Sequence, residues 1–133
     1  MKPTQHTKNF LLLATLMMAL AIAIGAFGAH GLKAMIDESL MKIYHTGVQY
    51  HFYNSLGLFA IAFMTFLLPF SKRIVFAGYM LFVGTLIFSC SLYLLVLLKA
   101  SWLGAVTPIG GTLMIIAWLL AFFALIKELK VGK

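Results

Sequence analysis

Any chemistry in this chain would have to be done by histidine and by neutral polar groups. The chain has only three acidic residues, Asp37, Glu38 and Glu128. His30, His45 and His51 carry imidazoles that could ligate a transition metal, hold haem between two of them, or relay a proton. A metal site on one helix needs ligands three or four residues apart. His45 and His51 are separated by six positions, about 120° on a helical wheel, so they do not share a face. The one cysteine, Cys90, stands in an apolar run with neither a CxxC partner nor a nearby histidine, and reads as a small packing residue. No serine or cysteine nucleophile has a histidine at a recognisable spacing, and there is no GxSxG, GxGxxG or P-loop pattern. The expectation is therefore a non-enzymatic protein with no cofactor. A proton-coupled carrier would place an Asp, Glu or Lys within the membrane. None is there, and a histidine relay would have to run through His51 alone.

These groups have to be positioned by membrane helices. The 133 residues are 63% hydrophobic and 10% charged, far too apolar for a water-soluble domain, where about a quarter of residues are charged. The formal charge of +7 does not point to nucleic acid, because the basic residues sit in short connections between apolar runs. Lys8, Lys33, Lys42, Lys72, Arg73, Lys99 and Lys127 bound four uncharged intervals. Each interval can supply the roughly 20 helical residues that cross a bilayer. The reading is one domain over residues 1–133, an all-α membrane protein with four transmembrane helices in an antiparallel bundle. The helices are placed near Phe10 to Ala29, Gly47 to Leu68, Ile74 to Leu97 and Pro108 to Ile126. The first is too long for a signal-peptide core and is taken as a retained helix. Between the first two, Leu32, Met35, Ile36, Leu40 and Ile43 recur at helical spacing and predict a short amphipathic outer helix. Thr107 followed by Pro108 fits an N-cap and first helical position. Lys2, Lys8, Lys72, Arg73, Lys127, Lys130 and Lys133 fall on one side, and Lys33, Lys42 and Lys99 on the other. Seven against three puts both termini in the cytoplasm of a cell whose inner membrane holds the chain.

Depth singles out a candidate site. A count of about 30 Å back from Pro69, at 1.5 Å per residue, reaches the outer boundary near Gln49, so that His51, Tyr53, Asn54 and Ser55 lie just inside. His45 stands at headgroup level, and His30, Tyr93, Thr107 and the Gly110-Gly111 pair reach the same layer from the other helices. A polar pocket of His30, His45, Gln49, His51, Asn54, Tyr93 and Thr107 is expected there. On the wheel His45, Gln49 and Tyr53 share one side of helix 2, while Gly47, His51 and Asn54 share another. Such a helix end should not face lipid. Three readings are open: side chains bonding to one another, a small-molecule or metal site, and a docking surface for a membrane partner. Trp118, halfway along helix 4, needs an acceptor for its indole N–H, with Asn54, Ser89 and Ser91 as candidates.

Cohesion inside lipid depends on close packing of small residues. Helix 1 offers Ala21, Gly25 and Ala29, helix 3 offers Ala77, Gly84 and Ser91, and helix 4 offers Gly110, Ala117, Ala121 and Ala124. Intramolecular packing is the simplest use of these stripes, and one surplus stripe would suffice for a homo-oligomer.

The same residues carry a resemblance. Gly25-Ala26-Phe27-Gly28-Ala29-His30-Gly31-Leu32, Tyr44-His45-Thr46-Gly47-Val48-Gln49-Tyr50-His51, Phe88-Ser89-Cys90-Ser91-Leu92-Tyr93 and Thr107-Pro108-Ile109-Gly110-Gly111 with Trp118 are similar to the small bacterial membrane family of the YgdD and YwdK type, a domain of unknown function. The likeness covers residues 9–126. It implies a four-helix inner-membrane protein and supplies no activity, cofactor or catalytic residue. The functional expectation is an accessory protein that binds a partner within the envelope. The alternative is a ligand or metal carrier built on the histidine layer.

Overall fold

The computed structural model describes residues 2–132, which form four long α-helices and two short 3-10 turns, with no strand among them. Helix α1 spans Gln5–His30, α2 Glu38–Leu67, α3 Lys72–Leu98 and α4 Thr107–Glu128.

The helix ends follow their caps more closely than the edges of the apolar runs. Thr4 accepts from the backbone N–H of Thr7, and the Thr7 hydroxyl accepts in return from that of Thr4, so α1 begins before Phe10. Asp37 adopts an extended backbone and accepts from the N–H of Leu40 at 2.9 Å, which starts α2. Ser71 does the same for α3 by accepting from Ile74.

Two expectations of local structure are corrected. The outer amphipathic segment is not a helix of its own: Leu32–Ala34 make a 3-10 turn, and the residues from Glu38 onward are the first turns of α2. Once Asp37 has capped the helix nothing interrupts it, since Gly47 is packed under the Tyr93 ring. At 1.5 Å per residue α2 is about 45 Å long, so its outer turns stand clear of a hydrocarbon layer of about 30 Å. Thr107 is not an N-cap. Val106 takes that position without a side-chain bond, Thr107 and Pro108 open the helix, and the Thr107 hydroxyl is turned inward.

Three stretches, Gln5–Ala34, Lys72–Leu98 and Ser101–Glu128, are long and apolar enough to cross a membrane. The fourth helix, α2, is longer than α3 or α4, but Gln49, His51, Asn54 and Ser55 make its outer half polar. It is carried among the others. Sequential helices pack on one another, α1 on α2, α2 on α3 and α3 on α4. The main core draws on all four, with Phe10, Ala14, Leu58, Ile61, Ile74, Leu81, Met114 and Ala121 buried in one cluster. A smaller cluster of Leu32, Met41, Tyr44, Tyr93, Leu95 and Val96 closes the end that holds the two 3-10 turns.

Small residues set the closest approaches. A Cβ on Gly110 would lie 2.5 Å from the backbone nitrogen of Phe88, and one on Gly84 would lie 2.9 Å from the carbonyl oxygen of Gly110. Helices α3 and α4 therefore touch backbone to backbone. Ala77, Gly84, Ser91, Ala117, Ala121 and Ala124 are buried beside this seam. On α1 the expected stripe is shifted: Ala21 is buried, Gly25 is half-buried against Val48, and Ala29 is exposed. Gly28 takes the place of Ala29, because the Tyr44 ring lies over it. Cys90 is exposed on α3 and packs into no core.

Candidate functional site

The outer half of α2 divides by face. Tyr44, Gly47, His51, Asn54, Ser55 and Leu58 follow one buried stripe, while His45, Gln49, Phe52 and Tyr53 are exposed. The wheel separates the faces where the sequence puts them, but the polar face of His45, Gln49 and Tyr53 is open and was expected to be covered. There Gln49 donates to the Tyr53 hydroxyl at 2.7 Å.

The buried face is a set of paired contacts between helices. His51 Nδ1 and the Tyr93 hydroxyl are 2.9 Å apart, joining α2 to α3. The Ser89 hydroxyl donates to the carbonyl of Gly47 at 2.8 Å, a second tie between the same helices. Tyr44 donates to the carbonyl of Ile24 at 2.5 Å, which ties α2 to α1, and its ring lies 5.5 Å from that of Tyr93. Ser91 and Thr107 share a hydrogen bond of 2.6 Å between α3 and the start of α4. Asn54 donates to the thioether sulfur of Met114 at 2.8 Å, which joins α2 to α4. Every buried side-chain nitrogen and oxygen among the described residues has a partner. That is the arrangement lipid demands, because no water is present there to take an unpaired group.

The predicted pocket residues therefore do not converge on one cavity. His51, Asn54, Tyr93 and Thr107 are buried in pairwise contacts, whereas His30, His45 and Gln49 stand exposed at the rim. The three histidines do not come together, and no group of three His, Cys, Asp or Glu side chains suited to a metal occurs among the described residues. Trp118 bonds to none of its expected acceptors. Asn54 turns to Met114, Ser89 to Gly47 and Ser91 to Thr107, while the indole packs over Gly57. Sequence reasoning passed over Tyr44 as a site residue. Its spacing of three from Gly47 and seven from His51 puts it on the buried stripe, and that was the available signal.

Two grooves open from this layer. One, of about 480 Å³, lies at the connection between α1 and α2, with Ala29, Ile36 and Met41 as its apolar lining and a polar rim of Lys33, Glu38, Lys42 and His45. On that rim Lys42 and Glu38 pair at 3.7 Å and both are largely exposed, so the contact is loose. Asp37, beside it, has its carboxyl held below the ordinary range by the N–H of Leu40 and by the Ser39 hydroxyl. The other groove, of about 400 Å³, runs between α2, α3 and α4 and is lined by aromatic rings.

The sequence profile of the family described as "Protein of unknown function (DUF423)" matches residues 24–111, which take in the end of α1, all of α2 and α3, and the start of α4. The chain belongs to this family. It is 43% identical to the UPF0382 membrane protein YwdK of Bacillus subtilis over 92% of its own length and 99% of that protein's. A UPF0382 membrane protein of Staphylococcus epidermidis is 41% identical, with coverage of 90% and 97%, and one from Staphylococcus aureus is 38% identical over the same shares. No solved structure matches the chain. The family is one of membrane proteins without an assigned function, and membership identifies this chain as a helical membrane protein.

Proposed function

We propose that the protein is a non-enzymatic accessory of the bacterial inner membrane, with both termini in the cytoplasm, that docks a membrane partner through its outer surface. The observation that carries this reading is the outer groove. Apolar Ala29, Ile36 and Met41 line it beside a polar rim of Lys33, Glu38, Lys42 and His45, the division that protein interfaces use. Met35, in the adjoining turn, is 72% exposed. Two of the three acidic residues have a structural use: Asp37 caps α2, and Glu128 accepts from Arg73 at 2.8 Å. The fitting partner is an outer loop of another membrane protein that offers an apolar anchor and a carboxylate for Lys33.

A photo-crosslinking amino acid at Ile36 tests this in intact membranes, with one at exposed Val131, at the far end of the chain, as the control. A single heteromeric adduct from Ile36 that disappears with Met41→Glu or Lys33→Glu, in protein still inserted and folded, is expected. Only self-adducts, or the same adducts from Val131, would sink the docking idea.

A further inference from the structure

We infer that the aromatic groove between α2, α3 and α4 binds a lipid-soluble molecule with a flat, carbonyl-bearing ring, of the isoprenoid quinone class. Its walls are rings: Tyr50 lies 4.8 Å from Phe88 and 5.9 Å from Tyr53, and Trp118 forms the deep end. Gly111 opens it, because a Cβ there would meet nothing closer than the Phe88 ring at 3.6 Å.

The hydrogen-bonding atoms in the groove select the ligand. Every buried polar side-chain atom among the described residues has a partner. The half-buried Trp118 lines this groove, and its indole N–H makes no hydrogen bond within the protein. The Tyr53 hydroxyl accepts from Gln49 and keeps its own proton to donate, and the Tyr50 hydroxyl is likewise unpaired. Asn54, whose amide nitrogen is committed to Met114, has a carbonyl oxygen that accepts from no protein donor and is therefore accessible, in a residue that lines the groove. The groove therefore offers three donors and one acceptor between aromatic faces. A ring with carbonyl oxygens on its edge fits this set, since the faces stack and the donors find acceptors.

At the indole, depth separates this ligand from an ordinary phospholipid, whose carbonyls can meet only the Tyr50 and Tyr53 hydroxyls nearer the boundary. Trp118 lies roughly 16 Å along α4 from Thr107, near the middle of a hydrocarbon layer of about 30 Å. The ester carbonyls of a phospholipid stay near the boundary and do not reach an indole at that depth. A quinone ring dissolved in the hydrocarbon does.

The test is fluorescence of the full chain in lipid nanodiscs. Trp102→Phe removes the exposed tryptophan of the outer turn and leaves Trp118 as the reporter. Titration with ubiquinone-1 should quench Trp118 saturably. Gly111→Leu, which fills the groove, should weaken the half-saturation at least tenfold, and Tyr53→Phe, which removes one exposed donor, by about threefold. Circular dichroism shows whether each variant is folded; should Gly111→Leu fail to fold, Tyr53→Phe and Tyr50→Phe carry the comparison. Quenching that rises linearly with quinone, or is equally strong at Trp102 in a Trp118→Phe chain, would mean partition into lipid and would overturn the inference. So would displacement by farnesol as effective as by a second quinone, since the chain and not the ring would then be recognised.

Discussion

The pair of His51 and Tyr93 is the test of what a buried hydrogen bond contributes in this protein. Both side chains are less than a tenth exposed, and the bond spans two helices. Tyr93→Phe keeps the ring over Gly47 and removes only the hydroxyl, which leaves His51 Nδ1 without its partner. In water-soluble proteins an orphaned buried group costs about 1–3 kcal/mol. In membranes the unfolded helices also find partners, and measured side-chain bonds average about 0.6 kcal/mol. A loss of about 1 kcal/mol is expected in a reversible detergent unfolding titration. A double change with His51→Phe should cost less than the sum of the two single changes, because the second change removes the group that the first orphaned. Strict additivity would mean that the two side chains act separately. Asp37 offers a residue-scale test at the surface. Its native pKa is lowered, so its stabilising contribution is present above the unfolded carboxylate pKa and is lost as pH falls through the lowered native value. The protection of the Leu40 amide against hydrogen exchange, taken relative to its intrinsic rate at each pH, should fall below about pH 4 in the native protein. In Asp37→Ala that protection should be low at every pH, because the cap is lost outright.

Among the elements, the α3–α4 seam carries the sharpest contrast, because two adjacent glycines predict opposite results. A methyl on Gly110 meets backbone atoms of Phe88 and Gly84, which cannot turn aside, whereas a methyl on Gly111 makes ordinary contact with the Phe88 ring. Gly110→Ala should destabilise by about 1–3 kcal/mol, as overpacking does, and Gly111→Ala by less than about 0.5 kcal/mol. Equal effects in thermal melts of the two proteins would show that the seam yields. Lys99, which ends α3 at φ 51°, is the one described non-glycine residue in the left-handed region. Lys99→Gly should raise stability by up to about 1 kcal/mol by relieving the Cβ contact, read as a higher melting temperature. The element scale was also the most legible in the sequence. Gaps between charges located the four helices, and the small residues of α3 and α4 marked the seam. What stayed hidden was set by capping and by side-chain direction. Asp37 fused the amphipathic segment into α2, Gly28 displaced Ala29 on α1, and the Thr107 hydroxyl turned to Ser91 instead of capping α4. The polar layer was legible as a depth, from a count of 1.5 Å per residue. Its division into a buried network and an exposed rim was not, since the wheel gives two faces and only the neighbouring helices decide which of them is covered.

At the scale of the whole molecule the question is which end faces the cytoplasm, since both the outer groove and the aromatic groove are defined by it. The start of α1, the turn from Leu68 to Ser71 and the end of α4 fall at one end of an antiparallel arrangement, and the 3-10 turns at Leu32–Ala34 and Ser101–Ala105 fall at the other. The first end carries Lys2, Lys8, Lys72, Arg73, Lys127 and Lys130, with Lys133 beyond the described residues. The second carries Lys33, Lys42 and Lys99. Basic residues in short loops are retained on the cytoplasmic side, so the excess predicts that the first end, with both termini, faces the cytoplasm. Helix α2 is about 15 Å longer than the hydrocarbon layer is thick, so its capped first turns project into water at the end opposite the basic excess. With Cys90 replaced by serine, a cysteine at Lys33 should react with an impermeant maleimide added to intact cells, and one at Lys72 should react only after the membrane is opened. Labelling at Lys72 but not at Lys33 would invert the protein, and the outer groove would then have to find its partner in the cytoplasm.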